Sequence, residues 1–96
     1  MPKKVDRIQP QVTRELRRAG CFVAPTHELG QGFVDLVVAR AGVWYLLELK
    51  DGMLPPSKQR LTPAERDFHE AAMRIGRGKV HIVKSVEDAL KAVGLI

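Results

Sequence analysis

The chain has 96 residues, 45% of them hydrophobic and 28% charged, which suffices for one modest core, so we expect a single domain spanning residues 1–96. No apolar run is long enough to cross a membrane, and the charged N-terminus lacks the apolar core of a secretory signal, so we expect a cytoplasmic protein without a membrane partner. Sixteen Lys and Arg residues against eleven Asp and Glu residues give a formal net charge of +5, which favours a polyanionic partner.

The first part of the chain predicts a helix followed by a strand. Apolar residues recur at every third or fourth position, which is typical of a helix with one buried face. They are Val5, Ile8, Val12, Leu16 and Ala19. Pro10 fits only the first turn, so we expect the helix to begin near Gln9 and to end before Gly20. Residues 21–24 form a short apolar run that predicts a strand, with Cys21, the only cysteine, buried as a free thiol.

The middle of the chain predicts a β-hairpin. Residues 33–39 and 43–49 are two β-type runs separated by only three residues. Both runs are apolar on both faces, which indicates a central pair of strands covered above and below. Residues 50–60 contain glycine and two prolines without any period, and we expect a loop there.

A second helix is marked by a strong start signal. Thr62 is a candidate N-cap, a proline follows it at the first helical position, and Glu65 stands where a capping box needs a carboxylate. The helix is expected to continue to about Ile75, with Phe68, Ala72 and Ile75 in the core.

The last part of the chain predicts one more strand and one more helix. Residues 79–83 are β-type, and Ser85 caps a helix that ends near Val93. The predicted order is therefore α-β-β-β-α-β-α, which favours an α/β fold with a mixed central sheet flanked by helices.

Three charged residues interrupt the apolar hairpin: Asp35, Glu48 and Lys50. If the turn is centred between Ala41 and Gly42, Asp35 lies opposite Glu48, and the period of two places Lys50 on the same face. Two such carboxylates repel each other when buried, and a divalent cation between them removes the conflict. A bound Mg²⁺ ion also binds phosphate and lowers the pKa of a water ligand, which phosphodiester hydrolysis requires.

The alternative interpretation is that the two acids are ordinary residues at strand ends and that Lys50 is a salt-bridge partner. A single Asp on a strand favours that interpretation. Three charged residues on one face of an apolar hairpin favour a functional site.

The same residues carry a family resemblance. Asp35, followed after a hairpin by Glu48-Leu49-Lys50, resembles the PD-(D/E)xK nuclease signature, and the whole chain resembles a stand-alone VRR-NUC domain of the kind encoded by phages. The match is specific over residues 35–52 and weaker in the flanks.

The resemblance implies the restriction-endonuclease-like fold and a metal site. Asp35, Glu48 and the backbone carbonyl of Leu49 would ligate Mg²⁺, or Mn²⁺ as a substitute, and Lys50 would attend the attacking water. The family often has a further acidic residue on the first helix, and Gln9 occupies that position here. Glu65 falls where relatives often have a glutamine near the site. No organic cofactor is implied.

The resemblance also implies the substrate and the assembly. We expect a DNA endonuclease that selects branched structures such as Holliday junctions rather than a base sequence, and a homodimer whose two sites would suit symmetric cleavage. Two groups of basic residues are candidates for contacts with the DNA backbone. They are Arg14, Arg17 and Arg18 on the first helix, and Lys58, Arg60 and Arg66 around the second.

Two further interpretations stay open. His69 lies one turn after Glu65 and could approach the site, but a partly exposed helix histidine is the favoured interpretation. The rivals to the enzyme are a non-catalytic nucleic-acid-binding module with the same fold and, more distantly, a purely structural protein. Crowded carboxylates facing a phosphate argue against a simple binder.

Overall fold

The computed structural model describes residues 6–96, so Val5 of the predicted apolar stripe lies outside the described residues. The described part contains three helices and four strands. They are α1 (Gln9–Arg18), β1 (Phe22–Pro25), β2 (Leu36–Arg40), β3 (Val43–Leu49), α2 (Pro63–Arg74), β4 (Val80–Val83) and α3 (Val86–Ala92). Two short 3₁₀ helices, His27–Leu29 and Pro56–Lys58, lie in the longer connections.

The four strands form one mixed sheet in the order β1-β2-β3-β4. β1 pairs with β2 and β2 with β3 in antiparallel fashion, whereas β3 and β4 are parallel. A parallel pair needs a crossover connection, and α2 supplies it. The predicted α/β class with a mixed central sheet is confirmed.

The hairpin has the predicted register over β2 and β3. Arg40 pairs with Val43 and Leu36 with Leu47. Ala41 and Gly42 form the turn with φ of 51° and 81°, the two positive values that a two-residue type I′ turn requires. The first arm is shorter than predicted, because Gln31 and Gly32 have positive φ values and the chain is still turning there.

The core lies between one face of the sheet and the helices α1 and α3. Alternate strand residues on this face are buried, as the period of two requires. They include Val23, Leu36, Val38, Leu47, Leu49 and Val83. Val12 and Leu16 of α1, Ala89 of α3 and Val93 directly after α3 belong to the same cluster, and Cys21 is buried as a free thiol, as predicted.

α2 lies on the opposite face of the sheet and contributes little to the core. Its predicted capping box is present, with Thr62 and Glu65 bonded to each other's backbone N–H. Glu65 is the only buried residue of α2. The helix ends at Arg74, close to the predicted end, but the prediction that Ile75 lies in the core was wrong, because its side chain is 74% exposed. Phe68 and Ala72 are only partly buried and lie outside the core cluster.

The connection from β3 to α2 is partly ordered by local bonds. The sequence favoured an irregular loop, but the N–H of Lys58 and Gln59 bond to the carbonyls of Pro55 and Pro56 and form a 3₁₀ turn. Within residues 6–96, no helix is both long enough and apolar enough to cross a membrane.

Candidate active site

Asp35 and Glu48 are buried carboxylates at the end of the hairpin that is remote from the turn. Asp35 directly precedes β2 and is 2% exposed, and Glu48 in β3 is completely buried. Each comes from an otherwise apolar stretch, so its burial is imposed by the hairpin register rather than by local sequence preference. Buried charges are costly unless they are paired or coordinated, which makes this end of the hairpin the candidate site.

The backbone holds the Asp35 carboxylate next to β3. Asp35 Oδ2 accepts a 2.7 Å hydrogen bond from the N–H of Leu49, and the N–H of Asp35 donates to the carbonyl of Leu47 at 3.1 Å. On the other side, the N–H of Thr26 donates to the carbonyl of Asp35 at 2.8 Å. The carboxylate therefore lies beside the peptide that follows Glu48, as the predicted cluster requires.

Lys50 reaches the start of α2 rather than solvent. Its Nζ lies 2.8 Å from Glu65 Oε1, and the two side chains are only 12% and 5% exposed. The same Oε1 accepts a 2.9 Å bond from the N–H of Thr62. Glu65 is thus the helix cap, as predicted, and also an ion-pair partner of Lys50, a contact that the sequence did not predict.

His69 is a partly exposed residue of α2, as the favoured interpretation expected, and it also contacts the candidate site. Its Nε2 lies 3.4 Å from Glu48 Oε1, and its side chain is 14% exposed. The residue also lines a surface cavity on α2 together with Glu70, Met73 and Arg74. The spacing of four residues from Glu65 was the available signal, since i and i+4 share one face of a helix.

Gln9 is buried at the start of α1, as a site residue would be, but it bonds to a loop histidine. Its Nε2 lies 3.0 Å from His27 Nδ1, and it is 4% exposed. Its Oε1 is buried with no hydrogen-bond partner among the described residues. An unmatched buried acceptor is costly, and it marks a place where a donor such as a water is expected. Sequence reasoning did not anticipate the His27 contact.

The loop before Asp35 packs closely against the start of α2. A Cβ added to Gly32 would lie 2.2 Å from the carbonyl oxygen of Ala64. The rings of Phe33 and Phe68 stack edge to face beside it, with centroids 5.0 Å apart. These contacts bring the segment that carries Asp35 and the helix turn that carries Glu65 together.

Asp51, which follows Lys50, was not singled out from the sequence. It is 2% exposed and accepts hydrogen bonds from Arg7 Nε and from the N–H of Met53. The bond from Arg7 and its positive charge lower the pKa of Asp51 below its usual value. This ion pair connects Arg7, which precedes α1, to Asp51, which directly follows Lys50.

The structure places the two groups of candidate DNA-binding residues on different layers. Lys58, Arg60 and Arg66 are exposed around the start of α2, on the same side as Lys50. The arginines of α1 are also exposed, but α1 packs on the other face of the sheet, so only the first group adjoins the candidate site. Those arginines are Arg14, Arg17 and Arg18.

The donor set of the site fits a hard divalent cation. Two buried carboxylates on adjacent strands and a neighbouring backbone carbonyl offer only oxygen ligands, which Mg²⁺ and Mn²⁺ prefer. Mg²⁺ is commonly held by one or two carboxylates, with water and phosphate oxygens completing its shell. Among residues 6–96 there is no group of three or more His, Cys, Asp or Glu side chains arranged to hold a metal ion, so a protein cage is not formed there.

The sequence and the fold were compared with known proteins. The chain matches no protein family, no curated protein and no solved structure.

Proposed function

We propose that this protein is a divalent-metal-dependent endonuclease that hydrolyses DNA phosphodiester bonds. The observation that carries the proposal is the burial of Asp35 and Glu48 at one end of an apolar hairpin whose register sets them opposite each other. Lys50 follows Glu48 by two residues and is held in an ion pair with Glu65. Two carboxylates buried close together repel each other, and a divalent cation held by both offsets that repulsion and is suited to phosphate chemistry. The PD-(D/E)xK fold and the VRR-NUC assignment are parts of the same proposal.

In this proposal Asp35, Glu48 and the carbonyl of Leu49 hold Mg²⁺ or Mn²⁺. When bound, the metal lowers the pKa of a water ligand and neutralises charge on the phosphate. The protein contributes rigid placement: the N–H of Leu49 fixes the Asp35 carboxylate, and His69 lies against Glu48 on its other side. Gln9 takes the place on the first helix where relatives often have a further acidic residue, and its buried Oε1 has no hydrogen-bond partner among residues 6–96.

Lys50 acts as a fixed positive charge. Its ion pair with the buried Glu65 keeps the ammonium in one position, because both side chains are largely removed from solvent. An ammonium with a carboxylate partner orients the attacking water and balances charge on the phosphate. We therefore assign Lys50 an electrostatic and orienting role.

The substrate and assembly follow from the same assignment. The protein acts in the cytoplasm on branched DNA such as Holliday junctions, as a homodimer with two sites. Arg14, Arg17, Arg18, Lys58, Arg60 and Arg66 are proposed contacts to DNA phosphates, which position a duplex without selecting its sequence. A light-scattering mass of one chain, 10.7 kDa, at micromolar concentration would contradict the dimer.

The function is tested by cleavage assays on supercoiled, single-stranded, flapped and four-way-junction DNA with Mg²⁺, Mn²⁺ or EDTA. We expect metal-dependent cleavage, and a loss of at least ~100-fold for Asp35→Asn and for Glu48→Gln, since each removes a charged ligand. Asp67→Asn, which changes an exposed carboxylate on α2, is the matched control and should cleave like the wild type.

Other outcomes of these assays would support one of the two alternative functions. DNA binding without metal-dependent cleavage of any substrate would show that the protein is a binding module. A protein that neither binds DNA in a salt-sensitive manner nor binds a divalent cation would have a structural role.

A further inference from the structure

Two large aromatic side chains lie exposed on the same sheet face as the candidate active site. Phe22 in β1 is 60% exposed and Trp44 in β3 is 65% exposed. Their rings pack edge to face with centroids 6.1 Å apart. They are neighbours because the sheet register aligns both with Ala39 of β2. We call Phe22 and Trp44 the aromatic pair.

The aromatic pair and the buried carboxylates are on one face by strand geometry. Trp44 and Glu48 are four residues apart in β3, and side chains separated by an even number of residues point to the same side. Four residues of a strand span about 13 Å at ~3.3 Å per residue. Ala24 of β1 and Val37 and Ala39 of β2, all half-buried, lie on the strands beside β3 between the aromatic pair and the carboxylates.

The segment between α2 and β4 adds positive charge at this end of the sheet. Residues 71–83 carry Arg74, Arg77 and Lys79 and no Asp or Glu. Lys79 directly precedes Val80, which pairs with Leu46 of β3, two residues after Trp44. The exposed aromatic pair therefore has basic residues beside it on the β4 side of the sheet.

We propose that the aromatic pair is a stacking platform for unpaired nucleotides of the DNA substrate, an inference that rests on the proposed nuclease function. Exposed aromatic rings on a sheet bind single strands by stacking against bases, while basic residues around them bind phosphates. Duplex bases already stack on one another and cannot cover these rings. The platform therefore selects DNA with single-stranded or branched regions.

The distance from the aromatic pair to the buried carboxylates fits a single strand of a few nucleotides. About four stacked nucleotides, at ~3.4 Å each, cover the 13 Å between the platform and the carboxylates. A strand whose unpaired end lies on Trp44 thus places a phosphate a few nucleotides away near Glu48. A second copy of this chain is a poorer occupant, because two such faces would bring six like charges together, three from each copy.

The chain offers a direct probe, because Trp44 is its only tryptophan. The experiment is done in EDTA at low salt, so that binding is measured without cleavage, with a 12-nucleotide oligo-dT strand and a 12-base-pair blunt duplex. We expect saturable quenching of Trp44 fluorescence by the single strand, and at least fivefold weaker binding of the duplex. Absence of quenching, or equal affinity for both probes, would overturn the proposal.

Two variants separate stacking from general apolar contact. With the labelled strand followed by anisotropy, Trp44→Leu should weaken binding about tenfold and Trp44→Phe by less than about threefold, since only the latter keeps a ring that can stack on a base. Leu29→Ala removes another exposed apolar side chain, 63% exposed, and should bind like the wild type. Equal losses for Leu and Phe at position 44 would contradict stacking.

The remaining outcomes distinguish this inference from the proposed function. Metal-dependent cleavage with unchanged strand preference in Trp44→Leu would refute the platform and leave the nuclease intact. Quenching by the single strand without cleavage in any metal would support the platform and refute the nuclease. A Trp44 emission shift that depends on protein concentration without DNA would show that a second copy covers the face.

Discussion

Glu65 both caps the start of α2 and forms an ion pair with Lys50. One of its carboxylate oxygens accepts the backbone N–H of Thr62, which begins α2, and the same oxygen lies 2.8 Å from Lys50 Nζ. The position of Lys50 therefore depends on the helix cap. A substitution at position 65 changes both the helix and the charge beside the site, so the two effects have to be separated experimentally.

Glu65→Gln is expected to lower kcat about 10- to 100-fold, the usual cost of losing a group that positions a metal-site residue. The amide oxygen still accepts the N–H of Thr62, as in a capping box with glutamine, but Lys50 loses its charged partner. The measurement is kcat and KM for cleavage of a branched substrate, at a temperature where denaturation curves show the variant to be folded.

Thr62→Ala is the matched control for this prediction. It removes the side chain that caps the N–H of Glu65 and should cost about 1 kcal/mol of stability, with kcat near that of the wild type. If Thr62→Ala lowered kcat as strongly as Glu65→Gln does, the carboxylate would be only a structural cap.

The sequence predicted the three central residues of the site but few of their partners. Asp35, Glu48 and Lys50 stand out because each is a charge in an apolar run of fixed register. The contacts of His69 and Gln9 do not stand out, because they depend on where α2 and the loop of residues 26–35 lie relative to the sheet. Periodicity within one element does not determine that placement.

At the level of elements, the hairpin turn is strained at one residue. Ala41 has φ of 51°, a left-handed conformation that costs an L-residue with a Cβ roughly 1–2 kcal/mol. Ala41→Asn should raise the free energy of unfolding by up to about 1 kcal/mol, since Asn followed by Gly is favoured in type I′ turns.

Urea denaturation checks the Ala41 prediction. The control is Ala71→Asn in the exposed middle of α2, where the same change should destabilise by about 0.5 kcal/mol because Asn is a poor helix former. Two changes of the same sign would contradict the assigned turn.

Gly32 is required for a different reason, because it closes the loop before Asp35 against α2. Gly32→Ala should cost about 3 kcal/mol or more, since it combines a φ of 79° with a Cβ at 2.2 Å from the Ala64 carbonyl. Gly20→Ala, at φ of 93° with no atom within 4 Å of the new Cβ, should cost only the backbone strain. Equal losses in urea denaturation would show that the close contact contributes nothing.

The order and type of the helices and strands were largely predictable from the sequence, but some of their ends were not. The capping box of α2 and the serine cap of α3 are local signals and were read correctly from the sequence. The late start of β2 and the exposure of Ile75 result from tertiary packing: a glycine-rich turn must close on α2, and α2 rests on the sheet mainly through its first turns.

At the scale of the whole molecule, stability depends on pH through His81 and Asp51, two of the described residues with a lowered pKa. Burial lowers the pKa of His81, and the nearby Lys79 lowers it further. The Arg7 bond lowers the pKa of Asp51, which links the start of the chain to the segment after β3. A lowered pKa in the folded state means that the unfolded chain binds more protons between the two pKa values, so acid favours unfolding.

The stability is therefore expected to fall with decreasing pH in two steps, which urea midpoints between pH 8 and pH 3 would detect. The first step begins near 6.5, the ordinary pKa of histidine, and the second near 3.8, that of aspartate. His81→Gln should flatten the first step only. Asp51→Asn should lower stability at neutral pH and flatten the second step, because the ion pair with Arg7 is then already lost. NMR titration of the His81 ring gives an independent check, because its pKa should lie below 6.5 and rise in Lys79→Ala. An unchanged pKa in Lys79→Ala would exclude the contribution of Lys79, and a pKa of 6.5 or above in the wild type would contradict the first step.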